Sequence, residues 1–294
     1  MTQLNIDLNS LELAKVFEYF PEGLICIDLE TTGLSPLVDR IIEIAAIKIT
    51  PAGVEVFQTL VNPEIEIPAH TIAIHHITDE MVKDAPLIGP SLEKLNEFCN
   101  LLPIVAHNAK FDAGFIVMGM EKHSIQLNKN NVYCSCKFAR FSFPEIPNHK
   151  LSTLVAHFGI ELLNHHRATD DALASLKLFI KCVAKANTQE ELDRNALIFN
   201  YGDFGKLSVA EIPEKLQELE KLVKEAAVIE IKYAGGNYKN QFRPVKLTSL
   251  LNTPDGNILY ARCLLSNMQK SFKLKKIIEI KKPLASDIQK WLLK

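Results

Sequence analysis

The chain has 294 residues, 47% of them hydrophobic and 23% charged, and a formal net charge of −2. That balance excludes a disordered or collagen-like chain, and the length is enough for two domains with cores of their own. The near-neutral total hides an asymmetry: residues 228–294 hold 11 Lys and 2 Arg against 4 acids, a net +9, while residues 1–227 net −11. An acidic body points to a cation site, and a basic tail to contact with a polyanion.

In chain order, residues 11–20 read as a short helix and 24–29 (LICIDL) as an apolar strand broken by one aspartate. A turn at 31–36 leads to a buried strand at 40–49 (RIIEIAAIKI), and a turn at 51–53 to a third strand at 54–61. This opening is an antiparallel meander. Helical periodicity follows at 91–99, a short strand at 101–106, and helices at 109–120, 151–158 and 169–185. The pattern predicts an α/β domain with a mixed sheet over residues 1–186. Residues 187–227 read as a helical connector with a charged amphipathic helix at 213–224. Residues 228–294 read as four strands, at 228–233, 245–250, 258–265 and 273–280, forming a small β-barrel.

The six cysteines form no CxxC pair and no zinc spacing, and Cys26 and Cys182 lie in apolar runs that suit small core residues. Residues 1–10 lack the basic and apolar regions of a signal peptide, and no apolar run approaches a membrane span, so the expectation is a cytoplasmic protein without membrane partners.

The chemistry rests on acids at the ends of these elements. Asp28 and Glu30, two apart on a strand, share one face. Taken alone they could cap a turn. Asp112 opens a helix after a strand, and Asp171 starts the long helix five residues after His166; either alone could complement a helix dipole. Together the four form an oxygen-rich set of the kind that holds two divalent ions, Mg²⁺ or Mn²⁺.

The segments IDLETTGLSP, VAHNAKFD and HRATDD, with IIEIAAIKI, IHHITDEMVKDAP and LSTLVAHFGI between them, resemble the DEDDh 3′→5′ exonuclease family over about residues 22–184. That family includes the proofreading epsilon subunit of bacterial replicative polymerase. The resemblance implies a ribonuclease H-like mixed sheet with flanking helices and release of nucleoside 5′-monophosphates from 3′ ends. It implies Asp28, Glu30, Asp112 and Asp171 as ligands of two metals and His166 as the general base, its spacing favouring it over His165, and Asp171 over Asp170. It places Leu29, Thr31, Thr32 and Gly33 near the terminal nucleotide, and His107 and Asn108 in a structural or substrate-adjacent role. Where many relatives carry Asp-Thr, this chain has Cys134–Ser135. The implied substrate is nucleic acid with a single-stranded 3′ end, DNA ahead of RNA. An RNA enzyme of the oligoribonuclease or ribonuclease T type is one alternative and a non-catalytic end-binding protein another. A polymerase or repair protein is the implied partner class. No QLxLF-like clamp-binding segment lies between the domains, which favours a stand-alone nuclease over a polymerase-bound proofreader.

In the tail, IEIKY, FRPVKL, ILYARC and SFKLKKI are similar in order to the WYL domain, an SH3-like barrel, with Ile258, Leu259 and Tyr260 at the namesake motif. Lys273, Lys275, Lys276, Lys281 and Lys282 near Phe272, and Lys239 and Arg243 near Tyr238 and Phe242, interleave cations with aromatics, a pattern that suits single strands.

Overall fold

The computed structural model describes residues 10–160, 167–201, 213–236, 238–251 and 256–292. The chain divides into two compact units, Met1–Thr32 with Arg40–Asp203, and Gly33–Asp39 with Phe204–Lys294.

The first unit begins with α1 (Ser10–Tyr19) and the meander β1 (Leu24–Thr31), β2 (Ile41–Thr50) and β3 (Gly53–Leu60). Short helices α2 (Ala69–His75) and α3 (Asp79–Val82) precede α4 (Ile88–Cys99), β4 (Ile104–Ala106) and α5 (Lys110–Lys122). Then come β5 (Asn131–Cys134), α6 (Ser135–Ser142), α7 (Leu151–Phe158), α8 (Ala168–Val183), α9 (Gln189–Ala196) and β6 (Leu197–Asn200). The sheet order is β3-β2-β1-β4-β5-β6. β2 is antiparallel to β1 and β3, β4 runs parallel to β1 and β5, and β6 is antiparallel to β5. This is the mixed sheet with flanking helices that the alternation of strands and helices predicts.

Alternation along β1 decides what each face sees. Leu24 and Cys26 join the main core with residues of α8, where Phe179 meets Phe20, Tyr133 and Phe138 at ring-centroid distances of 6.0, 6.2 and 5.6 Å. Fully buried Ala168 and Ala172, one helical turn apart, put small side chains on one face of α8, which packs on β1, β2 and β4. On the opposite face Ile27 and Ile104 meet Leu95, Cys99, Ile116 and Met120 of α4 and α5. Continuing the alternation, Asp28 and Glu30 project from the α8 side of the strand's C-terminal end.

The second unit contains a 3₁₀ turn at Glu214–Leu216, α10 (Leu219–Lys224), strands β7 (Val228–Tyr233), β8 (Phe242–Leu251), β9 (Ile258–Cys263), β10 (Met268–Lys273) and β11 (Ile277–Lys281), and α11 (Ala285–Leu292). The expected helix at 213–224 is therefore a 3₁₀ turn followed by a six-residue α-helix. All strand pairs are antiparallel, in the order β10-β9-β8-β7-β11. The expected SH3-like barrel is overturned, because this sheet is open. Residues 273–280, read from sequence as one strand, are divided by a 3₁₀ turn at Leu274–Lys276. The strands on either side of that turn pair with different neighbours, β10 with β9 and β11 with β7. Both stay edge strands, so no β10–β11 ladder closes a barrel among the described residues. The barrel attached to the WYL resemblance goes with it. The core of this unit is Leu216, Leu219 and Leu222 against Ile229, Ile231, Val245, Leu247, Leu259 and Phe272. The loop Gly33–Asp39 belongs here: the Oγ atoms of Ser35 and Ser249 lie 2.8 Å apart in a buried hydrogen bond.

Candidate active site

Three elements bring carboxylates to one place. β1 supplies Asp28 and Glu30, and the first turn of α8 supplies Asp171. Each offers a carboxylate oxygen within 4.8 Å of the other two. α5 supplies Asp112 from its first turn, 2% exposed. Asp112 stands outside that mutual triad, yet its charge is the largest electrostatic influence on Asp28, and its own carboxylate accepts from the backbone N–H of Leu29.

The electrostatics are those of buried acids crowded together. Burial pushes the Asp28 carboxyl well above its ordinary range, and the charges of Asp112, Asp171, Glu30 and Glu43 push it further. Glu30 is raised to about 8, by burial first and then by Asp171, Glu43 and Asp112, with Arg167 opposing. Asp112 is raised to about 8 by burial, against the backbone hydrogen bonds it accepts. Like carboxylates resist joint ionisation, and a divalent ion relieves both the burial and the repulsion. An all-oxygen donor set fits a hard cation such as Mg²⁺ or Mn²⁺ rather than a thiolate-seeking metal.

Glu43 is the acid that sequence reading passes over. It lies opposite Glu30 on β2 and is fully buried. Its carboxylate accepts from Arg167 Nη2 at 2.7 Å and Nε at 3.1 Å, from the Ala168 N–H at 3.1 Å and from Gln58 Nε2 at 2.9 Å. Burial alone would raise its pKa, but the bonds from Arg167, Gln58 and Ala168 outweigh it and lower the pKa. Glu43 thus ties down the entrance of α8: Arg167 is the residue after His166, and Asp171 lies one turn further on. Its sequence signal is a lone acid inside RIIEIAAIKI, which becomes informative only once the register places it across from Glu30.

Of the other residues expected at the site, His166 lies outside the described residues, as does its neighbour His165. The Thr32 hydroxyl accepts from the Arg40 N–H at 2.9 Å, and the Thr32 N–H donates to the Arg40 carbonyl at 2.8 Å, closing the neck of the Gly33–Asp39 loop. A Cβ on Gly33 would come within 2.5 Å of the Asp39 carboxylate, which already accepts from the Ser35 N–H at 2.8 Å. Leu29 is 5% and Thr31 8% exposed. Asn108 is exposed, with φ of 62° in the turn that opens α5.

His107 is held on both ring nitrogens, Nε2 to the His149 carbonyl at 3.0 Å and Nδ1 to Ser135 Oγ at 2.9 Å. A carbonyl only accepts, so the neutral ring carries its proton on Nε2 and accepts from Ser135. Burial lowers its pKa to about 4. Ser135 of the Cys134–Ser135 departure therefore supports this histidine, and Cys134 Sγ accepts from the Lys137 N–H at 3.4 Å to cap α6.

Residues 25–179 match the family described as RNase_T: Exonuclease. Over 205 residues the chain is 38% identical to the DNA polymerase III PolC-type of Caldanaerobacter subterraneus subsp. tengcongensis, covering 69% of this chain and 14% of that protein. Over 167 residues it is 38% identical to the Bacillus subtilis protein of the same name, covering 56% of this chain and 12% of the relative. The chain thus spans about one seventh of the length of these relatives. In fold it is similar to E. coli exonuclease I solved with a dA16 oligonucleotide, at a TM-score of 0.51 and 17% identity, covering 83% of this chain and 55% of that one. With more than half its length matched by the family, and the matched segment carrying the crowded carboxylates, the chain belongs to the exonuclease family.

Proposed function

We infer that this protein is a metal-dependent 3′→5′ exonuclease acting on DNA. The observation that carries the reading is the triad Asp28, Glu30 and Asp171, which gathers carboxylates whose mutual repulsion a divalent cation offsets, inside the segment that matches the exonuclease family. DNA is favoured because the relatives at 38% identity are DNA polymerases. Proteins that generate or extend 3′ ends, polymerases and repair enzymes, are the partner class.

Asp28, Glu30, Asp112 and Asp171 are the residues that would hold two divalent ions of the Mg²⁺ or Mn²⁺ type. Such ions, when bound, supply the positive charge that stabilises the attacking and leaving oxygens of an in-line displacement. His166 takes the proton of the attacking water, for which an imidazole has a suitable pKa. The new water O–P bond forms as the P–O3′ bond breaks, the 3′-oxygen leaves with the shortened strand and is protonated, and the terminal residue departs as a nucleoside 5′-monophosphate. Glu43 and Arg167 fix the backbone between base and ligand. Leu29, Thr31, Thr32, Gly33 and Asn108 meet the terminal nucleotide, and His107 buttresses the second motif.

The test is incubation with matched 5′-labelled single-stranded DNA and RNA in Mg²⁺, Mn²⁺ or EDTA. A descending DNA ladder abolished by EDTA is the expected result. A faster RNA ladder overturns the choice of sugar. Binding without shortening in either metal would make the protein an end-binding module.

A further inference from the structure

The second unit contains a buried cation with no carboxylate partner among the described residues. Arg243, near the start of β8, is 8% exposed, and its guanidinium carbon lies 4.6 Å from the ring centre of Tyr238 and 5.7 Å from that of Phe272. Among the described residues no carboxylate pairs with it and no hydrogen bond to its side chain is found. The neighbouring Lys281 shows the ordinary alternative: it lies over the Phe242 ring at 4.1 Å and also pairs with Glu230 at 3.1 Å. Arg243 has the aromatic contact without an acid among the described residues.

Ring contact returns part of the hydration that the guanidinium loses, and its N–H donors, which have no protein acceptor among the described residues, reach the surface and are open to an acceptor from outside. Retaining arginine there makes chemical sense if an anion completes the site, and the planar fork matches two oxygens of a phosphate. The surroundings favour a phosphate carried on a strand. Tyr238 is 36% exposed, a ring face available beside the cation, and Lys239 and Lys232 add positive charge around the β7–β8 turn. A base on an aromatic ring with its phosphate on an adjacent cation is the arrangement by which proteins hold single strands regardless of sequence.

We propose that Arg243 and Tyr238 form a phosphate-and-base site for a single nucleic-acid strand, separate from the carboxylate cluster in sequence and in compact unit. The choice of a nucleic-acid strand as occupant rests on the exonuclease reading.

The experiment uses the full chain and fluorescein-labelled oligo-dT, followed by anisotropy in EDTA so that no turnover occurs. Arg243→Gln should weaken binding about tenfold and Tyr238→Ala about fivefold. Arg243→Gln should also reduce the slope of log affinity against log salt by about 0.7, the loss of one phosphate contact on a single strand. Arg243→Lys should retain part of the affinity. Hydrolysis of the p-nitrophenyl ester of thymidine 5′-monophosphate, too short to reach a second site, should be unchanged in every variant. Tyr238 is exposed enough that its replacement keeps the test valid if Arg243→Gln folds poorly. Binding of oligo-dT within about twofold of wild type in both Arg243→Gln and Tyr238→Ala would overturn the proposal. So would an Arg243-dependent affinity for inorganic phosphate with no effect on oligo-dT, which would make this a free-anion site. If the wild-type protein binds oligo-dT through Arg243 but hydrolyses neither the ester nor DNA, the catalytic reading fails and this one stands.

Discussion

Glu30 and Glu43 face each other across β1 and β2, and they are driven in opposite directions. Glu30 rises to about 8, whereas Glu43, the more deeply buried side chain, is lowered. Burial therefore does not decide the ionisation of an acid here; donors do. Glu43 has four, supplied by Arg167, Ala168 and Gln58, while Glu30 has other carboxylates for neighbours. One is finished within the protein, and the other belongs to the triad proposed to hold a cation. The same contrast holds between arginines: Arg167 has its glutamate, and Arg243 in the other unit has rings but, among the described residues, no acid.

The largest effect should come from removing a carboxylate from the unfinished side. Asp28→Asn or Asp171→Asn should lower the exonuclease rate by about a thousandfold or more, since the residual site cannot hold and orient its ions. Measured in EDTA, the same substitutions should raise the melting temperature, because they remove repulsion. A variant as active as wild type would break the assignment.

On the finished side, Glu43→Gln should cost both stability and turnover. Removing one partner of a buried pair strands the other. Arg167 is 35% exposed, so water reclaims part of its charge and the loss should be about 2 kcal/mol in urea unfolding. As a positioning residue, Glu43 should change kcat more than KM, by roughly ten- to a hundredfold, as supporting partners of metal ligands do. An equal change in both would make its role structural only.

The pH dependence of the metal-free protein sharpens the comparison. Glu30 and Asp112 have folded-state pKa values of about 8, above the ordinary carboxylate values of the unfolded chain, so the folded state holds more protons between about pH 4 and 8. Stability in EDTA should fall as pH rises through that window. Mg²⁺ or Mn²⁺ should flatten the fall, because the ion replaces the protons. A melting temperature that climbs over this range in EDTA would show that these acids are compensated by something else.

How much of this can be read from residues alone depends on the range of the interaction. Asp28 and Glu30 are legible as a same-face pair because strand alternation is local, Asp112 because it opens a helix after a strand, and Asp171 because it starts the long helix five residues after His166. Glu43 is not, since its importance comes from cross-strand register and from Arg167, 124 residues away. Strands β5 and β6, four residues each, and helix α6 escape sequence reading because so few residues give no clear period. The open C-terminal sheet reads as a barrel for a related reason: closure depends on which strands pair at the edges, and the 3₁₀ turn at Leu274–Lys276 is one lysine-rich step inside an otherwise strand-like run. Arg243 is legible as one of several cations interleaved with aromatics, and only its burial sets it apart from Lys239 and the rest.

The smallest effect concerns His107, the histidine of the second motif. Its ring is neutral, fixed between Ser135 and the His149 carbonyl, with a pKa of about 4. A histidine whose folded pKa lies below its unfolded value near 6.5 adds stability above that value, and the contribution is lost as pH falls from about 6.5 toward 4. His107→Gln should therefore cost about 1 kcal/mol at pH 7, the scale of one or two neutral hydrogen bonds, and the gap from wild type should narrow at pH 5. Exonuclease activity at pH 8 should change less than about threefold, as befits a buttress. A loss comparable to that of Asp28→Asn would place His107 on the unfinished side of the comparison, among the groups that meet the substrate.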